Sequence, residues 1–138
     1  MTSRLLVIVS SLVLLAGCDQ AGTSTELTRP TTPPAKLLSF NGTLQVSGTD
    51  AYLFSVSQDG YVEVTLLGLG APPTTKVELG IGIPSGTGTC ALNHTVTTSA
   101  GPTAQIVGTG LAGSLCVNIK DPGNLTSPAI YTITVATS

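Results

Sequence analysis

Tryptophan is absent from this chain, and histidine occurs once, at position 94. Charge is scarce as well: charged side chains are 9% of the 138 residues and aromatic ones 4%. Each shortage removes a class of function. The basic residues Arg4, Arg29, Lys36, Lys76 and Lys120 are scattered, so they neutralise no run of phosphates and form no polybasic patch for anionic lipid; nucleic acid is not expected as a partner. Aromatic platforms for sugar are equally thin. Tyr52 and Tyr131 fall on inward-facing positions, which leaves Tyr61 as the tyrosine expected at the surface. Apart from the N-terminal run, no stretch approaches ~18 unbroken apolar residues, and no segment holds helical periodicity over ten residues.

Catalytic and metal-binding sets are short of members too. Nucleophilic catalysis needs a nucleophile, a base and a group that orients the base. His94, between Asn93 and Thr95 in a segment that reads as a loop, is the one available imidazole. Serine and threonine are so common here that any triad drawn around it carries no weight. Gly80, Gly82, Gly86 and Gly88 are not followed by Lys-Ser/Thr or by a helix, so they do not make a phosphate loop. For calcium, Asp50 and Asp121 stand at strand ends, but there is no Asp-x-Asp-x-Asp run. No cofactor or metal site is expected.

What is present begins at the N-terminus. Arg4 leads into an apolar run from Leu5 to Leu15, interrupted by Ser10 and Ser11, and the run closes on Leu15-Ala16-Gly17-Cys18. As helix, such a run covers about 16 Å, half of a hydrocarbon core, so it reads as a signal and not as a span. The ending resembles the lipobox of bacterial lipoproteins. The resemblance implies that residues 1–17 are removed and that Cys18 carries lipid, fixing the chain to a membrane of the bacterial cell envelope. Two or three acyl chains hold a protein there durably, because each buried CH₂ contributes about 0.8 kcal/mol. Asp19 resembles the residue that retains some lipoproteins at the inner membrane; the choice of membrane stays open. Without Arg4 the formal balance is 4 − 7 = −3.

Residues 18–37 read as the lipidated cysteine followed by a flexible tether. Pro30, Pro33 and Pro34 and many threonines accompany a single large apolar residue, Leu27, until Leu37. From 38 to 138 the apolar period becomes two. Tyr52, Phe54 and Val56; Val62, Val64 and Leu66; Val77, Leu79, Ile81 and Ile83; Leu115, Val117 and Ile119; and Tyr131, Ile133 and Val135 each alternate with other residues, mostly small or polar. That is the pattern of strands with one buried face. Asn41-Gly42 and Asp59-Gly60 read as hairpin-type turns, and Asp121-Pro122-Gly123-Asn124 as another turn. With weaker strands near 43–47, 89–97 and 103–108, the expected fold is an all-β antiparallel sandwich, jelly-roll or Ig-like, of seven to nine strands.

Cys90 and Cys116 are expected to pair in an oxidising compartment, closing a loop of about 26 residues for roughly 3.5 kcal/mol. Cys116 sits opposite Leu115, Val117 and Ile119 in the alternation, so the bridge is expected along the outer side of a sheet. Cys90, His94 and Cys116 also have metal-ligand chemistry, but a fourth ligand is lacking.

The runs Gly48-Thr49-Asp50-Ala51-Tyr52-Leu53-Phe54-Ser55-Val56 and Gly60-Tyr61-Val62-Glu63-Val64-Thr65-Leu66 resemble the opening of bacterial pre-peptidase C-terminal domains. Leu111 to Ile119 and Ala129 to Val135 resemble their later strands. The resemblance spans about residues 39–136. It implies a small jelly-roll-like sandwich accessory to secreted proteins, some members of which bind calcium or extracellular polymers. Leu115 stands where an aromatic is common in that family. Two functions follow as expectations: a non-catalytic binding or structural module facing an envelope or extracellular polymer or protein, or a small envelope hydrolase with a loop site around His94 and Asp121.

Overall fold

The computed structural model describes residues 36–138; the signal, Cys18 and most of the segment read as a tether lie outside the described residues. Eight strands follow in order: β1 (Lys36–Leu44), β2 (Thr49–Val56), β3 (Gly60–Leu69), β4 (Val77–Gly86), β5 (Thr89–Thr98), β6 (Ile106–Gly110), β7 (Gly113–Lys120) and β8 (Ala129–Thr137). They form two four-stranded sheets, β1-β8-β3-β6 and β2-β7-β4-β5, with every neighbouring pair antiparallel. One connection, β4 to β5, is a hairpin. Its Thr87-Gly88 turn puts Gly88 at φ 67°, a left-handed conformation that glycine adopts without a steric penalty. All other connections cross from one sheet to the other. Eight strands in this order make a jelly roll, a double-sheet sandwich.

The period of two places the core. Val62, Val64 and Leu66 of β3 and Tyr131, Ile133 and Val135 of β8 face Val77 and Leu79 of β4 and Val117 and Ile119 of β7, all buried in one cluster. Phe54, Val56, Leu44, Ile106, Leu125 and Ala129 complete it. Burying a Val- or Leu-sized side chain contributes about 1.5–3 kcal/mol, so these alternating positions supply the driving force for the sandwich.

Several local expectations are corrected. Asn41-Gly42 is not a turn: it lies inside β1, with Asn41 opposite Thr132 and Gly42 opposite Tyr131. Glycine is needed there for space, since a Cβ would stand 2.5 Å from the Tyr131 hydroxyl and 2.6 Å from that of Tyr52. Asp59-Gly60 does turn the chain, but between sheets, because β2 and β3 are not paired. Asp59 Oδ1 accepts the Ala112 N–H at 2.7 Å, tying this connection to the one between β6 and β7. Of the weak strand expected at 43–47, only Thr43 and Leu44 are strand, as the end of β1, while 45–47 lie in the connection to β2; the one expected at 103–108 starts at Ile106. His94 belongs to β5 and not to a loop. β1 also takes in Lys36 and Leu37 from the segment read as tether.

Cys90 and Cys116 are bonded, with Cα atoms 6.0 Å apart. The bridge joins β5 to β7 across β4, where Gly82 pairs with both Cys116 and Leu92. Cys116 is buried yet lies outside the core cluster, so the bridge covers the outer face, as the alternation indicates.

Candidate functional site

β5 and β6 are the edge strands on one side of the sandwich, and a cleft opens between them. Its shape depends on a bulge. His94 pairs with Ile81 and Leu92 with Gly82, so Asn93 has no partner on β4. The extra residue reverses the alternation of β5. Below it, Leu92 and Cys90 share the outer face with Gly82; above it, His94 shares the inner face with Ile81. The imidazole, exposed at the rim, therefore borders the space between the sheets and not the outer surface.

The cleft encloses about 300 Å³. Val62, Ile81, Ile106 and Leu115 form an apolar floor, while Asn93 and His94 bring polar groups to the rim; Thr109 pairs with Tyr61, so its side chain lies on the outer face of the sheet. β6 lies low over this floor because of its glycines: a Cβ on Gly110 would stand 2.7 Å from Val62 Cγ2. Gly108 differs, since a Cβ there meets no atom within 4 Å. Among the described residues, the lining contains no Asp, Glu, Ser or Cys. Imidazole and carboxamide can orient a ligand by hydrogen bonds, but among the described residues the cleft has no carboxylate to orient the imidazole and no serine or cysteine nucleophile.

Asp121, expected beside His94 in the hydrolase reading, is engaged elsewhere. It follows β7 at 2% exposure, and its oxygens accept backbone N–H groups only. Oδ1 takes those of Gly123 (3.0 Å), Asn124 (2.7 Å) and Leu125 (3.1 Å), and Oδ2 takes that of Ser47 (2.8 Å). Burial pushes its pKa up, but these four donors outweigh it and hold the carboxyl below the usual carboxylate range. Ser47 has φ 56°, unusual for a residue with a side chain, and its bond to Asp121 fixes that conformation. The register sets Asp121 two strands and about four residues from His94, roughly 15 Å by strand geometry. The structure does not bring the two together.

Asp50 is also committed. The Tyr131 hydroxyl donates to Asp50 Oδ2 at 2.8 Å, and the Tyr52 hydroxyl lies 2.7 Å from that of Tyr131 and 3.1 Å from the Asn41 carbonyl. A phenol has one proton. With Tyr131 giving its own to Asp50, Tyr52 must donate in the contact between them. Burial first, then the Tyr52 hydroxyl and the Asp50 carboxylate, push the Tyr131 pKa far above the usual phenol value. Phe40 stacks on Tyr52 at 4.9 Å between ring centroids and lies 6.3 Å from Phe54. Tyr61 is the tyrosine left at the surface, 64% exposed.

With Cys90 and Cys116 bonded to each other, neither thiolate can join His94 on a metal, and among the described residues no three His, Cys, Asp or Glu side chains group as ligands. Two features escape the sequence. The Asn93 bulge follows from pairing register, which one strand does not display. Gln105 carries no motif, yet it extends the β3 ladder beyond β6: its Oε1 accepts the Leu66 N–H at 2.7 Å and its backbone N–H donates to the Val64 carbonyl at 3.0 Å. No protein-family model and no curated protein matches this chain.

Proposed function

We propose that this chain is a lipoprotein of the bacterial cell envelope, anchored to the bilayer through acylated Cys18, whose jelly-roll domain binds a ligand without transforming it. The cleft between β5 and β6 carries the reading: it is apolar at its floor, polar at its rim, and among the described residues it is lined by no serine, cysteine or carboxylate. At about 300 Å³ it lies at the small end of ligand sites, which suits one compact apolar group with a polar atom turned to His94. Such a group would belong to an envelope or extracellular polymer or protein. The likeness to pre-peptidase C-terminal domains supports an accessory binding role, and its motif residues fall on β2, β3, β7 and β8.

The test is a binding screen of the full mature chain against polysaccharides, peptidoglycan fragments and extracellular proteins. Gly108→Leu projects a side chain into open space at the cleft and is expected to weaken binding about tenfold with an unchanged melting temperature. His94→Ala is expected to weaken it less. Turnover of any ligand, lost in His94→Ala, would replace this reading with the hydrolase. For the anchor, a palmitate analogue is expected to label wild type and not Cys18→Ala; label retained in the variant would remove the lipoprotein reading.

A further inference from the structure

We infer that the outer face of the β1-β8-β3-β6 sheet, at the end where the chain enters the domain, docks on the lipid headgroup surface; this rests on the reading of Cys18 as the anchor. Four large apolar residues stand exposed there: Leu37 (67%), Tyr61 (64%), Val107 (59%) and Leu111 (75%). They are neighbours by register. Leu37 pairs with Ala136, Ala136 with Glu63, and Glu63 with Val107, a single row across the sheet. Its ends lie three strand spacings apart, about 14 Å. Tyr61, two residues before Glu63, shares that face one step nearer the end of the sandwich. Leu111 follows Gly110, which pairs with Gly60, the neighbour of Tyr61.

The position of this patch indicates its occupant. β1 starts at Lys36, the last rung of its pairing with β8, so residues 19–35 join Cys18 to the patch itself. Seventeen residues reach no further than about 60 Å, whatever their conformation. An anchor this close gives the face an effective concentration in the millimolar range at the bilayer, so even weak affinity keeps it docked. The chemistry suits the interfacial zone. An exposed tyrosine beside aliphatic side chains is typical of that depth. Glu63, in the middle of the row, keeps the face among headgroups and out of the hydrocarbon, and it favours zwitterionic lipids bearing an ammonium over anionic ones. Other exposed apolar residues stand elsewhere: Leu53 and Ile83 are on the second sheet, and Val46, Leu67 and Ile130 lie towards the opposite end.

The absence of tryptophan provides the test. Tyr61→Trp adds a single indole reporter, and Ile130→Trp places the same reporter on the same sheet at its far end. The full mature chain, with its disulfide intact, is coupled through the Cys18 thiol to a maleimide lipid in phosphatidylcholine–phosphatidylethanolamine vesicles, so the result does not depend on acylation in cells. With brominated lipid, emission from the Tyr61→Trp variant is expected to shift to the blue and to fall about twofold, while emission from Ile130→Trp stays unchanged. Adding Val107→Ser or Leu111→Ser to the Tyr61→Trp variant is expected to relieve the quenching. An unquenched indole at position 61, or equal quenching at both positions, overturns the docking. Self-association that Val107→Ser abolishes, without quenching at position 61, also overturns it in favour of a second copy of the chain. Quenching in vesicles without acyl label in cells would remove the anchor and keep the lipid affinity of the face; label without quenching would do the reverse.

Discussion

Gly42 occupies the point where two phenol hydroxyls meet, and the absence of its side chain makes that meeting possible. Gly42→Ala would drive a methyl to within 2.5–2.6 Å of both oxygens, and it is expected to cost about 1–3 kcal/mol in urea unfolding. Tyr131→Phe leaves Asp50 without its donor and Tyr52 without its acceptor, which is expected to cost about 1.5–3 kcal/mol by the same measurement. Asp121 gives a prediction in pH. Its folded pKa is lowered, so its contribution is present above the unfolded value of about 3.9 and disappears as pH falls through the folded one. Asp121→Asn is expected to lower the melting temperature at pH 7, since the amide nitrogen then faces the Ser47 N–H. The gap from wild type should narrow below about pH 4; a gap constant from pH 7 to pH 3 would refute this account. At this scale the sequence misleads where one dipeptide serves two purposes. Asn-Gly favours a tight turn, but at 41–42 space for two hydroxyls decides, and those hydroxyls come from β2 and β8.

Among elements, period two is legible wherever one face is buried. Tyr52 to Val56, Val62 to Leu66, Val77 to Ile81, Leu115 to Ile119 and Tyr131 to Val135 all lie in strands with the inward residues expected. β5 is harder to read because its alternation reverses at Asn93, and that reversal places His94 in the cleft. The chemistry of the site is therefore visible in the sequence as an isolated histidine, while its setting is not. The bridge between β5 and β7 has a measurable role at this scale. Cys90→Ser combined with Cys116→Ser opens a loop with a sequence separation of 26, and the loss is expected to be roughly 3.5 kcal/mol by urea unfolding. The loss should appear mainly around β5, as faster hydrogen exchange there than in β8.

For the whole molecule, a two-sheet sandwich follows from the buried-face pattern, but its strand order does not. β8 lies between β1 and β3, far from both in sequence, and no local feature of residues 129–137 names those neighbours. Such long-range pairing predicts slow folding, on the millisecond-to-second scale. It also makes β8 indispensable: deleting residues 129–138 removes a central strand of one sheet, and the truncated chain is expected to show no cooperative unfolding transition. A retained sigmoidal transition would refute this.

The register of β1 against β8 has a mechanical consequence. The pairing runs from Lys36 opposite Thr137 to Leu44 opposite Ala129, nine residue pairs in all. A pull on residue 36 directed along the strand loads these rungs together in shear, whereas a sideways pull opens them one at a time. Force that enters at residue 36 and leaves through the opposite end of the sandwich, at the β7–β8 turn, imposes the shear direction. Rupture force should then depend strongly on pulling direction, and single-molecule stretching from residue 36 against a handle at the β7–β8 turn would measure the difference.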